Sequence, residues 1–345
     1  MVSLLVIATL AGPAAAGPAS VTAAASTVST VEITVAGDRR SATVVTPPGA
    51  ARAPGRRPPL LMVLHGVGMR GADMRSLGFE DLASRRGVIV AYPDAWHGSW
   101  NDGRPGLELA SPADAVDDVA FLGALVTELG VRVGADTSKV AVVGFSNGAL
   151  MTGRLACEMA DGVVAVGLVA GTIGQGFAPA CRPARALPVV VVAGTGDGIV
   201  PYGGGQIADS GGRRRGLVAS VEEFLTFWRT TDGCAAGAAT TAPVPGAAVP
   251  VTRMEAPACG PGGSVVHYRV QDGGHDWYRV AGFDTTKVVW GFLCPWFGGP
   301  EPNCVGNRGG FRSRTGPVRW WAVVPIQRAA VTSASSRAMR ASTDW

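Results

Sequence analysis

The sequence predicts an α/β fold in which helices cover both faces of a mostly parallel sheet. Short, wholly apolar segments recur along the chain, as expected of strands that are buried on both faces of a sheet. Segments with helical periodicity lie between them, and this alternation is typical of parallel sheets. The 345 residues, 47% of them hydrophobic, are enough to bury one full core.

The predicted elements follow one another in a simple order. Two strands open the fold at residues 30–36 and 41–46, separated by Gly37-Asp38. Further strands are predicted at residues 60–64, 88–91, 140–143, 163–169, 189–193 and 265–270. Helices are predicted at residues 113–129, 149–159, 218–228 and 285–293.

Both ends of the chain differ from the middle. Residues 1–25 have the pattern of an export signal, because a short apolar stretch at 4–10 precedes alanines at 14–16. A buried first element is the alternative. The stretch is too short to span a bilayer, and cysteine is absent before Cys157, which argues against a lipid anchor on cysteine. We expect a catalytic domain over residues 26–304 and a disordered basic tail over 305–345.

The net charge of +4 does not indicate a nucleic-acid-binding protein. Seven arginines and one acidic residue, Asp344, follow Val305, so the body of the chain is slightly negative. A nucleic-acid binder needs a basic face on its folded body. We therefore expect no nucleic acid and no stable membrane anchor among the partners.

Six cysteines fit export to an oxidising compartment, so we expect a secreted protein. Six cysteines allow 15 pairings. Proximity in sequence favours Cys157 with Cys181, Cys234 with Cys259 and Cys294 with Cys304, and six buried thiols are the alternative. The chain has no C-x-x-C and no H-E-x-x-H segment, so a metal site has little support.

One motif indicates nucleophilic catalysis. Residues 144–148, GFSNG, follow the predicted strand 140–143 and open the helix near Ala149. In this context G-x-S-x-G is the elbow of the α/β-hydrolase fold, where glycines permit a tight turn that lifts the serine hydroxyl above the sheet. The motif predicts that fold, with Ser146 as the nucleophile. An ordinary glycine-rich connection is the alternative.

A serine hydroxyl needs a general base, and position selects His275. It lies in residues 273–277, GGHDW, a loop directly after the last predicted strand, where this fold delivers its histidine. The other histidines fit less well. They lie inside the last strand, in a polar loop and at the end of the third strand: His267, His97 and His65.

The acid that orients the histidine should lie between serine and histidine in the chain. Asp197 follows the strand 189–193, at the carboxyl end where such sheets build their sites. The competitors lie at a helix end or in loops without a preceding strand: Asp161, Asp209 and Asp232. Asp117 and Asp118 precede the serine and are expected to cap a helix or face solvent.

Acyl transfer also needs an oxyanion hole and a substrate pocket. The backbone N–H of Asn147, after the nucleophile, and that of Val67, in the loop after the third strand, are the predicted oxyanion donors. Trp100, Trp277 and Tyr202 follow strand ends or neighbour the proposed triad, so we expect them to line the pocket. We expect a monomer whose partner is an ester substrate, polymeric or small.

Two alternative functions fit parts of the sequence. Residues 66–71, GVGMRG, match G-x-G-x-x-G, and Asp94 ends the next strand, as in a dinucleotide-binding oxidoreductase. That interpretation leaves the ordered Ser, Asp and His unexplained, and glycine is so abundant that the match is weak. A catalytically silent binding protein of the same fold is the second alternative.

Taken together, several segments resemble the secreted polyhydroxybutyrate-depolymerase and feruloyl-esterase group of carbohydrate esterase family 1. The matching stretches are LHG at 64–66, YPD at 92–94 with WN at 100–101, DDV at 117–119, GFSNG at 144–148, TGD at 195–197 with VPY at 200–202, and GGHDW at 273–277. The likeness runs from about residue 31 to 293. It implies ester hydrolysis outside the cell without a cofactor, and it supports the first two cysteine pairs.

The sequence departs from the pattern of this group at three positions. Ala193 stands where the group often has histidine, and Tyr278 follows Trp277 where proline is usual. Val67 stands where relatives commonly carry cysteine. These departures leave the chemistry intact and bear on the preference for acyl group or alcohol.

Overall fold

The computed structural model describes residues 25–50, 57–107, 116–208, 212, 214–298 and 304. The predicted tail at 305–345 and, apart from residue 25, the predicted export signal lie outside these residues. The described strands are β1 Thr27–Val35, β2 Asp38–Thr46, β3 Leu60–Leu64, β4 Ile89–Pro93, β5 Val140–Phe145, β6 Ala165–Val169, β7 Val189–Gly194, β8 Gly205–Ala208, β9 Arg214–Val218, β10 Thr240–Pro243, β11 Val251–Glu255, β12 Val265–Val270, β13 Arg279–Val280 and β14 Phe283–Asp284.

The described α-helices are α1 Phe79–Ser84, α2 Asp118–Arg132, α3 Asn147–Glu158, α4 Val221–Thr231 and α5 Thr285–Leu293. Short 3-10 helices cover Gly71–Leu77, Trp96–Gly98 and Cys294–Phe297. Among the described residues, no helix combines the length and the apolar character needed to cross a membrane.

Ten strands form one sheet in the order β1-β2-β4-β3-β5-β6-β7-β12-β11-β10. The six strands from β4 to β12 in this order run parallel, and antiparallel pairs flank them at both edges. The carboxyl ends of β5, β7 and β12 therefore meet at one edge of the sheet, where ligands bind in open α/β sheets. This is the α/β-hydrolase fold, as the sequence predicts.

Alternating side chains of the central strands build two separate cores. On β3, Leu60, Met62 and Leu64 face one core, whereas Leu61 and Val63 face the other, as the two-residue repeat of a strand requires. Helices α2, α3 and α4 cover the first core, and α1 and α5 cover the second. The sheet is thus buried on both faces, which explains the continuous apolar runs in the sequence.

Two predicted helix starts are wrong, and capping explains both. Helix α2 begins at Asp118 rather than at 113, because Asp117 caps it by accepting a hydrogen bond from the Ala120 N–H. Helix α4 begins at Val221 rather than at 218, because Ser220 and Glu223 form a reciprocal capping box. The strands β8 to β11, β13 and β14 and the helix α1 were not predicted from the sequence.

The six cysteines form three disulfides between neighbours in sequence: Cys157–Cys181, Cys234–Cys259 and Cys294–Cys304. The first ties the end of α3 to the loop after β6, and the second ties the loop after α4 to the loop before β12. Each closes a loop of 24 or 25 residues, for which the chain-entropy model gives about 3–4 kcal/mol of stabilisation.

Candidate active site

Ser146 lies in a strained turn between β5 and α3. Its backbone has φ 56° and ψ −121°, a left-handed conformation that non-glycine residues rarely adopt. A Cβ atom at Gly144 would overlap the backbone of Gly148, and one at Gly148 would overlap the carbonyl of Leu64. Because only glycine fits at these two positions, the turn can pass close to β3 and lift the Ser146 side chain to the sheet edge.

Three side chains from the ends of three strands meet at this edge. His275 Nε2 lies 2.8 Å from Ser146 Oγ, and His275 Nδ1 lies 2.8 Å from Asp197 Oδ2. The carboxylate accepts from Nδ1–H, which leaves Nε2 free to accept the serine proton. The arrangement can therefore make the hydroxyl of Ser146 nucleophilic.

Asp197 is held so that one oxygen faces the imidazole. Its other oxygen, Oδ1, accepts hydrogen bonds from the N–H groups of Ile199 and Val200, at 2.8 and 2.9 Å. Its side chain is 3% exposed, and that of His275 is 11% exposed. Charge-assisted bonds of this kind fix a carboxylate in place.

The competing acidic residues are used elsewhere or lie apart. Asp232 accepts hydrogen bonds from the N–H groups of Leu187 and Ser264, and burial raises its pKa to about 7. It therefore ties two loops together at the far end of α4. Asp161 is exposed, and Asp209 lies outside the described residues.

The other three histidines contact other parts of the fold, and the ring of His97, for example, stacks on that of Trp96 at 4.8 Å. His65 is fully buried: its Nδ1 donates to the Gly66 carbonyl at 2.7 Å, and its Nε2 accepts from the Ala95 N–H at 3.0 Å. Burial lowers its pKa, so it stays neutral and holds the loop after β3. Burial also lowers the pKa of His267, to about 3, with Arg229 and Arg269 adding to the effect.

Two backbone N–H groups near Ser146 are candidates for binding an oxyanion. The loop after β3 passes beside the serine, since a Cβ atom at Gly66 would lie 3.4 Å from Ser146 Cβ. In that loop Gly68 donates to Gly98 and Met69 donates to Gly66. Within the described part of the chain, the N–H groups of Val67 and Asn147 have no acceptor.

The side chain of Asn147 serves a different purpose, which the sequence did not suggest. Its Oδ1 accepts from the Trp100 N–H at 2.7 Å, and its Nδ2 donates to Asp102 at 2.6 Å and to the Trp100 carbonyl at 3.1 Å. It thereby joins the start of α3 to the loop 99–102. Arg104 lies 3.3 Å from the same Asp102 carboxylate, which is fully buried.

The aromatic residues predicted to line the pocket are mostly packed. Trp100 is fully buried and donates from Nε1 to the His65 carbonyl at 2.9 Å, so no face of it is open to a substrate. The predicted role of Trp100 in lining the pocket is therefore wrong. Trp277 is 8% exposed and donates to Thr286 at 3.0 Å. Tyr202 is half-buried and donates to Glu222 at 3.0 Å.

Phe145, inside the serine motif, was missed. Its partly exposed ring lies 5.3 Å from the imidazole of His275 and 6.1 Å from the Trp277 ring. The signal was available, because the residue before the nucleophile ends β5 at the same edge of the sheet. Phe145 therefore has a partly exposed aromatic ring beside His275, whereas Trp100 has none of its ring exposed.

The segment 66–71 does not have the structure of a dinucleotide-binding turn. Gly71 opens a 3-10 helix rather than an α-helix, and its N–H donates to Asp94 at 2.9 Å. Ser41 also donates to Asp94, at 2.7 Å, so that carboxylate is occupied within the fold. Among the described residues, no group of three or more His, Cys, Asp or Glu side chains could hold a metal ion.

No protein-family model matches the chain. NocK from Nocardia uniformis subsp. tsuyamanensis, which is named as an esterase, is 32% identical over 263 residues, covering 71% of this chain and 73% of NocK. A feruloyl esterase B from Piromyces equi is 28% identical over 184 residues, covering 51% of this chain and 33% of that protein. An acetyl xylan esterase structure from Aspergillus awamori has the same fold, with a TM-score of 0.51, 16% identity, and coverage of 72% of this chain and 94% of that one.

Fold and relatives define a carboxylic ester hydrolase with the α/β-hydrolase fold. The chain belongs to the esterase family that includes NocK. The expected likeness to the feruloyl-esterase group is confirmed, and the likeness to polyhydroxybutyrate depolymerases stays a prediction.

Proposed function

We propose that the protein is a secreted serine esterase in which Ser146, His275 and Asp197 form the catalytic triad. The observation that carries this proposal is the unbroken hydrogen-bond chain from Ser146 Oγ through the imidazole to Asp197, with both distances at 2.8 Å. Secretion is supported by the three disulfides, which persist in oxidising compartments.

The reaction has two halves, each with balanced proton transfer. In the first, His275 Nε2 takes the proton of Ser146 while Oγ attacks the ester carbonyl, and the imidazolium then gives that proton to the leaving alcohol. The acyl group stays on Ser146. In the second, His275 deprotonates a water molecule that attacks the acyl-enzyme, and the acid leaves with Ser146 reprotonated.

Charge develops on the His275 imidazole and on the substrate carbonyl oxygen during the reaction, and neighbouring groups stabilise both. Asp197 stabilises the imidazolium and keeps the tautomer in which Nε2 can accept a proton. The N–H groups of Val67 and Asn147 bind the oxyanion, a contribution for which one donor is typically worth about 10²–10³ in kcat. No cofactor takes part in these steps.

The substrate is an ester with an acyl group that an apolar wall can hold. Phe145 beside His275, and the 63% exposed side chain of Val67 beside the serine, offer apolar surface for it. Feruloyl, acetyl and short polyester substrates all have this chemistry, and the name of the Piromyces equi relative favours the first. Rates on nitrophenyl esters of rising length, methyl ferulate and polyhydroxybutyrate would rank them.

The test of the triad is Ser146→Ala, with Ser138→Ala as its control. Alanine keeps the Cβ atom and so leaves the turn unchanged, whereas the Ser138 hydroxyl donates to Asp136 at 2.6 Å, before β5 and away from the site. Turnover of nitrophenyl acetate should fall by about 10⁴-fold or more in the first variant, because triad members act as a unit, and should not change in the second. Near-normal turnover by a folded Ser146→Ala protein would refute the assignment.

A further inference from the structure

Tyr278 occupies a buried position beside the loop that carries His275. The residue is 6% exposed, and its hydroxyl donates a hydrogen bond to the carbonyl of Gly274, the residue immediately before His275. Its own backbone carbonyl accepts from the Thr285 N–H at 2.9 Å, at the start of α5. The side chain therefore links a regular helix to the loop after β12.

Two glycines make room for the phenol. A Cβ atom at Gly273 would lie 2.6 Å from the Tyr278 hydroxyl, and one at Gly194, the last residue of β7, would overlap it. Gly196 also donates to the Gly273 carbonyl at 2.9 Å. The hydroxyl thus fills the space between the end of β7, three residues before Asp197, and the loop that carries the histidine.

The Tyr278 hydroxyl stays protonated, and so remains a hydrogen-bond donor, near neutral pH. Burial raises the pKa of Tyr278 to about 12, and the negative charges of Asp197 and Asp276 act in the same direction. A phenolate could not donate to the Gly274 carbonyl, and both effects oppose its formation.

We propose that Tyr278 is a positioning residue: its hydroxyl holds the 273–275 loop against the end of β7, so that His275 reaches Ser146 and Asp197 together. The inference rests on the proposed triad. It concerns a position where this chain departs from the group that it resembles, and it assigns the tyrosine a purpose in the reaction without contact to the substrate.

The test compares Tyr278→Phe with Tyr268→Phe. Tyr268 is a matched control, since it is 7% exposed and its ring, like that of Tyr278, packs on Phe283, but it lies on β12 and faces Arg253 rather than the histidine loop. Tyr278→Phe should lower kcat on nitrophenyl acetate by about tenfold to a hundredfold, the cost of a small misplacement of a catalytic group, with KM changed less than about twofold. Tyr268→Phe should leave kcat unchanged.

A second readout does not depend on turnover. The proton between His275 Nδ1 and Asp197 should give a low-field proton NMR signal, which Tyr278→Phe should weaken or shift and Tyr268→Phe should not. Equal kcat and an equal signal in a folded Tyr278→Phe protein would overturn the proposal, as would equal losses in both variants. If Ser146→Ala kept its activity, the triad would fail, and the NMR signal alone would still decide whether Tyr278 positions His275.

Discussion

The serine turn and the histidine loop bring Ser146 and His275 together by different means. Ser146 is placed by backbone sterics, because Gly144 and Gly148 allow one tight path between β5 and α3 that runs close to the end of β3. His275 is held by contacts from distant segments: Asp272 donates its N–H to Thr195 at 2.8 Å, and Gly196 donates to Gly273 at 2.9 Å. The turn depends on two glycines inside one five-residue motif, whereas the loop depends on hydrogen bonds that form only after β7 and β12 have paired.

One glycine from each region should respond differently to an added methyl group. Gly148→Ala should abolish activity or lower kcat at least about 10²-fold, because the new Cβ atom would overlap the backbone of β3. Gly274→Ala is the comparison, since a Cβ atom there meets nothing within 4 Å. Its free energy of unfolding should stay within about 0.5 kcal/mol of the wild type. Measurements of kcat and of denaturant unfolding on both variants would check this. A Gly148→Ala protein with normal kcat would contradict the claim that only glycine fits at this position.

Substitution of the two aromatic residues beside His275, Trp277 and Phe145, should have different effects. Trp277 is nearly buried and packs 5.9 Å from Phe79, so Trp277→Ala should lower the free energy of unfolding by about 3–5 kcal/mol without changing the preference between acetyl and feruloyl esters. Phe145→Ala should instead change that preference, because its ring is partly exposed at the site. Relative rates on two esters, with a melting curve, measure both effects. A changed preference in Trp277→Ala would restore its predicted pocket role.

A smaller effect is expected on the free energy of unfolding at acidic pH, where the buried His267 destabilises the folded protein. Burial lowers the pKa of His267 in the folded protein to about 3, below the usual histidine value of about 6.5, so protons bind the unfolded chain more readily. This histidine therefore costs no stability above about pH 6.5 and a growing amount as pH falls toward 3. His267→Phe should lose less stability than the wild type over that window. The raised pKa of Asp232 acts in the opposite direction but is common to both proteins, so it cancels in their difference. Parallel curves of unfolding free energy against pH would contradict this prediction.

The sequence predicted what short segments encode. The buried strands, the G-x-S-x-G turn, and the order Ser146, Asp197, His275 all follow from local patterns, and the structure brings these three side chains together. The capping box formed by Ser220 and Glu223 is also a local pattern, and it marks the start of α4 at Val221.

The burial of single side chains and the contacts between residues far apart in sequence could not be predicted from local patterns. A tryptophan after a strand end fits a pocket wall as well as a core, and the structure buries Trp100 completely. Asp118, expected to cap or face solvent, forms a buried ion pair with Arg40 at 2.5 Å, 78 residues away in sequence. Such contacts depend on how the strands are ordered in the sheet, which no local window of sequence contains.

The most direct measurement is to trap the acyl-enzyme. Rapid acid quench during turnover of nitrophenyl acetate, followed by mass spectrometry of the peptides, locates any covalent acyl group. The account predicts an acetyl group on Ser146 in the wild type and none in Ser146→Ala. An acetyl group on another residue, or rapid turnover with no acylated peptide at any time point, would contradict it.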